Sequence, residues 1–575
     1  MKNIKSLKKL LVLSLAVILA FSVFTGCGKK GATNNAEFDI KSSKYGSTYP
    51  IEGAEDVTLT YWRQTTAAVQ KSAPTNYGEL PFAKELEKQT GVKVEYIHPS
   101  LTNAAEKFTL MIASGNLPDI IGWNMNSYTG GSKAAIADGV ILPLNEEGNN
   151  MLEAWAPDYY SLLEKYPDSV AKEAKTDNGH YFAFGTIAPD RELNTTAGPI
   201  VRGDWLEDLG LEIPKTVDDW YVMLKAFKEN KGATAPLSMS SQGFYCGFIT
   251  GAYGINNDYY HDDNVVKFGP AEAGYKEYLT TMNKWYKEGL FDSSFDTIAG
   301  TDINAKLLNG KAGATWNALG GGIGTLSSNV EAKTADDPNK DAIFIGAPYP
   351  TLDGSKSEFG QSSQRFNPVA SISSQCKDPE LAIKWLNYGY TEKGHMLFNF
   401  GIEGVSYEWV ETEHRATDEF GGYIKNEDGS YKMETSKYPK YTEEITANET
   451  LTMQEAFAKY AQAGGAGGGG QYRQDPRYLE QYAMRPQQHA AWEVWCDTNV
   501  FNHYVPNTGV ADEYAQEYSK LYVDITAYVQ QEYIKFVKGS RPISEFDSYV
   551  QTLKDMGLDK MIQMKQEAFD AYNAR

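Results

Sequence analysis

A regular alternation of short apolar strands and amphipathic helices opens the ordered part of the chain. Residues 57–62 alternate polar and apolar side chains like a half-buried strand, a helix over 82–89 ends before Gly91, and 92–97 predicts a second strand. A second helix over 106–114 and an apolar strand over 117–123 follow. This strand–helix–strand–helix–strand order predicts a parallel α/β sheet with right-handed crossovers.

The same alternation continues beyond residue 190. A strand over 198–202 leads into a helix over 204–210, and Thr216 is a good N-cap for a helix over 217–229. Further predicted elements are helices at 272–288, 510–538 and 545–573, strands at 311–316 and 343–348, and a helix that begins at Asp378. The glycine-rich run 464–470 predicts a mobile loop or hinge.

The first 27 residues have the layout of a secretory signal. Four lysines precede an apolar run over 10–24 that is too short for a comfortable membrane span, and Cys27 follows two small residues. This ending resembles a bacterial lipobox, in which the cysteine takes a diacylglyceryl group, although Phe24 replaces the usual leucine. A plain signal peptide with an incidental cysteine is the alternative. We expect a signal peptide over 1–26, lipidation at Cys27, and a flexible tether over 27–56.

Length, charge and cysteine content narrow the class of protein. A chain of 575 residues accommodates two to four domains. Loss of four lysines with residues 1–26 takes the formal net charge from -21 to -25, so phosphate backbones are repelled and nucleic acid is not an expected partner. Cys246, Cys376 and Cys496 allow at most one disulfide, so burial must hold the fold together.

Several short motifs resemble one protein family, in the same order along the chain. The run from Arg202 to Thr216, followed by Asp219-Trp220-Tyr221, resembles a block of the extracellular solute-binding proteins of ABC importers. The nearest subgroup is that of large lipoproteins linked to oligosaccharide uptake. The further matching blocks are 283–292, 378–382 with Tyr388, Glu392 and Gly394, 401–405, and 556–558 with Gln566, Ala568, Asp570 and Tyr572. Together they cover nearly the whole mature chain.

The resemblance implies a two-lobed α/β clamshell, in which each lobe is a sheet flanked by helices. The chain is expected to cross between lobes near 185–198, 350–355 and 405–410. Lobe 1 would then comprise 57–190 with 353–405, and lobe 2 would comprise 191–352 with 406–575. Closure of the lobes around a ligand would be a hinge motion at these crossings.

Three tryptophans mark the expected ligand cleft. Trp62, Trp123 and Trp316 each lie at the end of a predicted strand, and ligands in open α/β sheets bind beyond the carboxyl ends of strands. Flat rings beside amides and charges suit the C–H faces and hydroxyls of sugars, and a core tryptophan below the cleft is an equally good interpretation of each ring. The polar neighbours of the three rings are Arg63, Asn124 and Asn317.

Charged and tyrosine side chains add weaker candidates for the cleft. Arg63 and Arg202 suit a carboxylate on an acidic sugar, because guanidinium binds planar anions in a bidentate manner. For Arg202 the sequence favours an ion pair with Asp204 instead. Tyr181, and Tyr349 near the second expected crossing, complete the set.

Signatures of catalysis and metal binding are missing from the sequence. The seven histidines include no pair at the spacing of a helical metal site, and no G-x-S-x-G or phosphate-binding loop is found. The turns 177–179 and 427–429 resemble calcium loops in composition, but they lack the later glutamate and turn formation explains them better. The family resemblance implies calcium near Asp177 in some relatives, yet this chain has no full ligand set. We expect neither a metal nor a cofactor.

The sequence therefore predicts a monomeric, non-enzymatic lipoprotein at the outer face of the cytoplasmic membrane. It would capture an oligosaccharide and pass it to the membrane permease of an ABC importer. Two alternatives stay open: a secreted glycan-active enzyme, which needs two cleft carboxylates about 5–10 Å apart, and a binding component that feeds a membrane sensor. Within the binding class, a peptide or another solute is also an open alternative.

Overall fold

The computed structural model describes residues 38–240, 247–418 and 421–575. The predicted signal peptide, Cys27 and Cys246 lie outside these ranges. The strands are β1 Thr58–Arg63, β2 Lys93–Ile97, β3 Ile120–Gly122, β4 Asn145–Glu146, β5 Asn149–Asn150, β6 Phe184–Ile187, β7 Ala197–Arg202, β8 Tyr259–Asp262, β9 Val265–Phe268, β10 Ala314–Ala318, β11 Phe344–Gly346, β12 Phe366–Ile372, β13 Tyr407–Arg415, β14 Met433–Tyr441 and β15 Tyr472–Arg473.

Helices alternate with these strands along the chain. They are α1 Ala67–Ser72, α2 Pro81–Thr90, α3 Ala104–Ser114, α4 Gly131–Ala137, α5 Met151–Trp155, α6 Pro157–Lys165, α7 Lys172–Ala174, α8 Arg191–Asn194, α9 Gly203–Leu209, α10 Val217–Lys231, α11 Ala273–Lys287, α12 Gly300–Leu308, α13 Thr325–Glu331, α14 Pro379–Asn387, α15 Glu392–Phe400, α16 Glu443–Thr446, α17 Met453–Tyr460, α18 Pro476–Tyr482, α19 Pro486–Cys496, α20 Ala515–Lys538, α21 Phe546–Asp555 and α22 Leu558–Asn573. Among these helices of the described ranges, none is both long enough and apolar enough to pass through a bilayer.

Local sequence signals explain where several helices begin and end. The hydroxyl of Thr216 accepts the N–H of Asp219, and the Asp219 carboxylate accepts the N–H of Thr216, which fixes the start of α10 as predicted. Gly91 ends α2 in the left-handed region, with φ of 73°. The single helix predicted over 545–573 is wrong, because Gly557 at φ 103° separates α21 from α22.

The larger sheet, sheet 1, has the strand order β15-β6-β12-β3-β1-β2. As predicted, β1 is parallel to both β2 and β3, and Tyr61 aligns with Tyr96 and Ile120. β12 runs antiparallel to β3 and β6, whereas β15 is parallel to β6. The carboxyl ends of β1, β2, β3, β6 and β15 therefore share one edge with the start of β12, which we call the upper edge of sheet 1.

The smaller sheet, sheet 2, has the order β10-β7-β11, with β7 antiparallel to both neighbours. Helix α19 covers it, and its Trp495 donates from Nε1 to the carbonyls of Pro199 and Ala347, both at 3.2 Å. We call sheet 1 with its packed helices lobe 1, and sheet 2 with its packed helices lobe 2. The predicted fold class, two helix-flanked sheets in an α/β chain, is confirmed.

The end of the chain follows a different path from the one expected. The sequence assigns 406–575 to lobe 2, whereas β15 pairs with β6 inside sheet 1 and α17 packs on α1 and α2. The chain therefore pairs again with sheet 1 after β13 and β14, which form an antiparallel ribbon. A strand of two residues carries no periodic pattern, so the sequence gives no sign of this return.

The polar segment 38–56, expected to belong to a flexible tether, is instead fixed to lobe 1. Tyr45 and Ile51 are buried, and the ammonium group of Lys384 donates to the carbonyl of Tyr45 at 2.8 Å. The Glu380 carboxylate accepts the backbone N–H of Lys44 at 3.0 Å and pairs with Lys384 at 2.8 Å. A buried ion pair on α14 thus holds this segment in place, and the segment lacks the apolar pattern from which a folded structure is predicted.

Candidate binding site

The upper edge of sheet 1 is where the chain leaves for lobe 2. β6 ends at Ile187 and reaches β7 through residues 188–196, and β12 begins at Phe366 after the second connection, 347–365. Because ligands in open α/β sheets bind beyond the carboxyl ends of strands, the space between this edge and sheet 2 is the expected binding cleft.

A cavity of about 240 Å³ opens at this edge, among the ends of β1 and β3 and the start of β12. We call it cavity A. Its lining combines aromatic rings, amides and glycine backbone, and none of the lining side chains is a carboxylate or an imidazole. The lining residues are Tyr61, Arg63, Gln64, Gly122, Trp123, Asn124, Ser127, Asn367, Pro368, Val369, Gly468 and Gly469.

Trp123 is the indole that lines cavity A, and two buried rings hold it in place. It stacks on Phe108 with ring centroids 5.2 Å apart and meets Trp62 edge-on at 5.9 Å. Trp62 is only 6% exposed and belongs to a small core cluster with Ile121. Of these two predicted ligand contacts, Trp123 lies at the cavity and Trp62 lies beneath it, as the core interpretation allowed.

Arg63 is buried beside cavity A, where its charge is directed at protein atoms. Its Nη2 donates to the carbonyls of Gly467 at 2.7 Å and Gly469 at 3.0 Å. Its guanidinium carbon lies 4.0 Å from the centroid of the Tyr77 ring. These contacts make Arg63 the support of the glycine-rich loop, which differs from its predicted role as a partner for a ligand carboxylate.

The glycine-rich loop 464–470 is anchored along its length, in contrast to the predicted mobile loop. Besides the two bonds from Arg63, its carbonyls at Ala466 and Gly470 accept the hydroxyls of Thr66 and Thr186 at 2.8 and 2.7 Å. Gly469 has φ of 91°, and a Cβ there would lie 2.9 Å from Val369 Cγ1. Glycine is therefore required where the loop forms a wall of cavity A.

A second cavity, of about 160 Å³, brings residues of both lobes together, and we call it cavity B. The loop after β10 contributes from lobe 2, and α17 and the glycine-rich loop contribute from lobe 1. Three aromatic rings and no charged side chain line it. The lining residues are Thr196, Ala318, Leu319, Gly320, Gly321, Gln454, Phe457, Gly464, Tyr478, Leu479 and Tyr482.

The tyrosines of cavity B were missed at the level of sequence. Tyr478 and Tyr482 lie four residues apart on α18, which begins with the N-cap Asp475 and Pro476 shortly after β15. That helical spacing was a usable signal, since residues four apart share one helix face. The pairing of β15 with β6, which brings α18 to the cleft, has no local sequence pattern and was not predicted.

Trp316, Asn317 and Tyr349 lie at the edge of sheet 2 without lining cavity A or B. The indole N–H of Trp316 points to Tyr349 Oη at 3.3 Å, and that hydroxyl donates to the carbonyl of Ala197 at 2.9 Å. Asn317 accepts the N–H of Ala318 at 2.8 Å. In this structure their contacts join β7, β10 and the second connection, and their role as ligand contacts stays a prediction.

Arg202 and Tyr181 lie away from both cavities. Arg202 is 2% exposed and binds Asp204 through Nε and Nη2 at 2.7 and 2.6 Å, which is the ion pair that the sequence favoured. It lies at the far end of β7 from Ala197, five strand steps or about 16 Å away. Tyr181 is buried under the Lys175 ammonium, 4.9 Å from its ring centroid.

A buried carboxyl lies outside both cavities, at the start of β12. Glu173 is 8% exposed and accepts the N–H of Phe366 at 2.8 Å through one oxygen. Its other oxygen, Oε1, has no hydrogen-bond partner among the described residues. Burial raises the pKa of this carboxyl to about 7, against an ordinary value of 4.5.

A charged cluster that the sequence did not indicate lies where β15 meets α18. The fully buried Asp475 accepts His395 Nε2 at 2.9 Å and Arg477 Nη2 at 2.6 Å. These partners outweigh the burial of Asp475 and hold its pKa below the usual range. Asp475 also caps α18, so the cluster fixes the helix that carries Tyr478 and Tyr482. No group of three or more His, Cys, Asp or Glu side chains suited to a metal is found in the described ranges.

Two helix-flanked sheets joined by several connections, with one cavity at the upper edge of sheet 1 and a second lined from both lobes, have the architecture of a two-lobed solute-binding protein. The chain belongs to the bacterial extracellular solute-binding protein family, whose model matches residues 71–396.

Curated relatives lie within the same class. Lipoprotein LipO of Bacillus subtilis is 27% identical over 57% of this chain, and the match spans 64% of LipO, slightly under two thirds of its length. The fructooligosaccharide ABC transporter substrate-binding protein FusA of Streptococcus pneumoniae is 23% identical over 98% of this chain and 97% of FusA.

Solved structures share the fold. A human-milk-oligosaccharide (HMO) binding, ABC-transporter associated solute-binding protein from Bifidobacterium longum infantis aligns with a TM-score of 0.67 and 18% identity, over 90% of this chain and 99% of that chain. An EF-hand mutant of FusA in complex with fructo-nystose aligns with a TM-score of 0.62 and 20% identity, over 90% of this chain and all of that chain.

Proposed function

We propose that the protein captures a saccharide between its two lobes and delivers it to the membrane permease of an ABC importer. The observation that carries the proposal is Trp123, an indole braced by Phe108 at the wall of cavity A and surrounded by amides. A fixed aromatic face covers the C–H surface of a sugar ring, and neighbouring amides bind its hydroxyls. The relatives FusA and the HMO-binding protein, whose descriptions name oligosaccharides, support this ligand class.

The lining residues divide into platform, hydrogen-bonding and supporting roles. Trp123 is the platform in cavity A, and Gln64, Asn124 and Asn367 supply donors and acceptors. Arg63 holds the glycine-rich wall through its bonds to the carbonyls of Gly467 and Gly469. Cavity B offers a further sugar-binding position, because Phe457, Tyr478 and Tyr482 line it beside the backbone of 319–321.

Lobe closure would act at the connections between the sheets. We propose that lobe 1 comprises 38–190 with 366–475 and that lobe 2 comprises 191–365 with 476–575. This division follows the strand pairing, since β12 and β15 belong to sheet 1 and α19 packs on sheet 2. Hinge motion at these crossings lets the ligand stabilise the closed form by its higher affinity for that form.

A binding role suits this site better than catalysis. Glycoside hydrolysis uses two carboxyl groups on either side of the scissile bond. The residues that line cavities A and B include no Asp, Glu or His. Incubation with oligosaccharides, followed by product analysis, tests this point directly, and turnover would overturn the non-enzymatic role.

The proposed place of work is outside the cytoplasm, with a monomeric chain held to the membrane by lipid at Cys27. The lipobox-like ending of the signal peptide and the relative LipO, named as a lipoprotein, support the anchor. Metabolic labelling with a fatty acid in cells that process lipoproteins tests it, and a Cys27→Ala chain must fail to incorporate the label.

Ligand binding is tested with a saccharide panel. A specific ligand raises the melting temperature of the purified protein by mass action, and calorimetric titration then gives its Kd. We expect Trp123→Ala to weaken binding by about 10-fold or more, since a stacked ring is worth at least about 1.4 kcal/mol. Trp409→Ala is the matched control, because Trp409 is 39% exposed and lies on β13, outside both cavities. Equal affinity of the wild type and Trp123→Ala would contradict the proposed site.

A further inference from the structure

The side chain of Arg575 closes an oxygen-lined loop of lobe 1. Its Nη2 donates to Asp177 Oδ1 at 2.6 Å, and its Nη1 donates to the carbonyls of Lys172 and Lys175 at 2.6 and 2.5 Å. The arginine side chain is only 7% exposed. One carboxylate oxygen and two backbone carbonyls therefore converge on a single buried cation.

The loop that receives Arg575 is otherwise built by its own short-range bonds. The N–H of Thr176 donates to the carbonyl of His180 at 2.9 Å, and the Thr176 hydroxyl donates to Asn178 Oδ1 at 2.6 Å. Gly179 takes φ of 85° at the turn. Within the loop the Lys172 carbonyl accepts only the N–H of Lys175, at 3.4 Å, and Arg575 donates to the carbonyls of Lys172 and Lys175 at shorter distances.

This loop is one of the two turns whose composition approaches that of a calcium loop, and the relative FusA carries an EF-hand by its description. The residues of this chain do not fit that metal. An EF-hand counted from Asp177 needs side-chain ligands at the third and fifth positions and a glutamate at the twelfth, where this chain has Gly179, Tyr181 and Ala188. The oxygens that are present already bind a guanidinium.

We propose that Arg575 acts as a built-in cation for the loop 172–179, so that the loop keeps its fold without calcium. A guanidinium offers a permanent positive charge and several directed N–H donors, which can satisfy one carboxylate and two carbonyls at once. The neighbouring side chains Lys172 and Lys175 add positive charge and disfavour a divalent ion.

The same contact ties the two lobes together. Arg575 follows α22, which packs on α20 and β9 of lobe 2, whereas α7 and its loop pack on β12 of lobe 1. The ammonium of Lys172 adds a second bond across the same boundary, to the carbonyl of Asn573 at 2.9 Å. The built-in cation therefore also fixes the end of the chain to the opposite lobe.

The test compares the full mature chain with Arg575→Ala and Asp177→Asn in excess EDTA and in millimolar CaCl2. For the wild type we expect the same melting temperature in both solutions. For each variant we expect a melting temperature in EDTA lower by about 2–4 °C. We also expect about 10-fold faster amide exchange within 172–180, measured by mass spectrometry.

Arg485→Ala is the matched control, since Arg485 forms an ion pair with the exposed Glu331 and touches no calcium-like turn. It should leave amide exchange at 172–180 unchanged. A calcium-dependent rise in the melting temperature of the wild type would overturn the proposal. Unchanged exchange in both Arg575→Ala and Asp177→Asn would overturn it as well, and neither readout depends on saccharide binding.

Discussion

Replacement of Arg63 by methionine tests whether a buried cation shapes the binding cleft. Methionine keeps most of the apolar stem and removes the guanidinium, so the variant loses the bonds to Gly467 and Gly469 without leaving a large void. We expect the glycine-rich loop 464–470 to open more often, and cavity A to lose its ordered wall.

The size of the effect follows from the contacts of the guanidinium. Two hydrogen bonds from a charged donor contribute about 1.5–3 kcal/mol each, and the contact with the Tyr77 ring contributes about 1–2 kcal/mol. Burial of the charged group costs several kcal/mol in return. A net loss of about 3 kcal/mol corresponds to a rise of roughly 100-fold in the opening equilibrium of the loop.

Hydrogen exchange of peptides that cover 462–472 measures this opening directly. The exchange rate of these amides should rise roughly 100-fold in Arg63→Met, and saccharide affinity should fall with it. Arg485→Met is a control that removes a guanidinium whose hydrogen bonds go to Glu331 and Ser328 and not to the loop. If exchange at 462–472 were equal in the wild type and Arg63→Met, the argument that Arg63 supports the loop would be refuted.

Three other substitutions test separate parts of the structure. Because burial raises the pKa of Glu173 to about 7, the folded state binds its proton more tightly than the unfolded chain does, and the wild type should lose up to about 3 kcal/mol of stability between about pH 4.5 and pH 7. Chemical denaturation at several pH values should show that the Glu173→Gln variant lacks this loss of stability. Parallel stability–pH profiles for the wild type and the variant would contradict the prediction. Gly469→Ala should weaken saccharide binding in titration calorimetry, because the added Cβ meets Val369. Gly429→Ala is the control, since Gly429 also has positive φ but no close neighbours, and it should leave the affinity unchanged. Equal losses of affinity in the two variants would contradict the prediction. Lys384→Met should expose 38–56 to limited proteolysis, since it removes the bonds to the Tyr45 and Gly46 carbonyls, and cleavage no faster than in wild type would count against it.

The part of the fold that the sequence predicts is the part built from local signals. The first three strands of sheet 1, the helices between them, and the cap at Thr216 depend on periodicity and on residues within a few positions of one another. The two-residue strand β15 depends on pairing with β6, almost 300 residues earlier in the chain. No local pattern encodes such a pairing, so the sequence did not predict that the chain pairs again with sheet 1 here.

The candidate site divides in the same way. Trp123 and Asn124 were found because they directly follow β3, and the ends of parallel strands meet at one edge of a sheet. The role of Arg63 as the support of the glycine-rich loop was not predicted, because it depends on carbonyls about 400 residues away in the sequence. Tyr478 and Tyr482 reach cavity B on α18, which follows the pairing of β15 with β6.

The docking of residues 38–56 onto lobe 1 would shorten the connection between the folded protein and a membrane to which Cys27 is anchored. In a chain anchored at Cys27, only residues 28–37 lie between the lipid and the fixed body, a reach of at most about 38 Å when fully extended. A connection that extended freely to residue 56 would reach about 100 Å. With a lipid at Cys27, the shorter connection would confine the protein to a thinner layer above the membrane and would raise its local concentration around a neighbouring permease. Lys44, in the docked segment, pairs with Asp378, and the neighbouring Lys377 N–H donates to Asp119 just before β3, so this part of the segment lies at the edge of sheet 1 opposite cavity A.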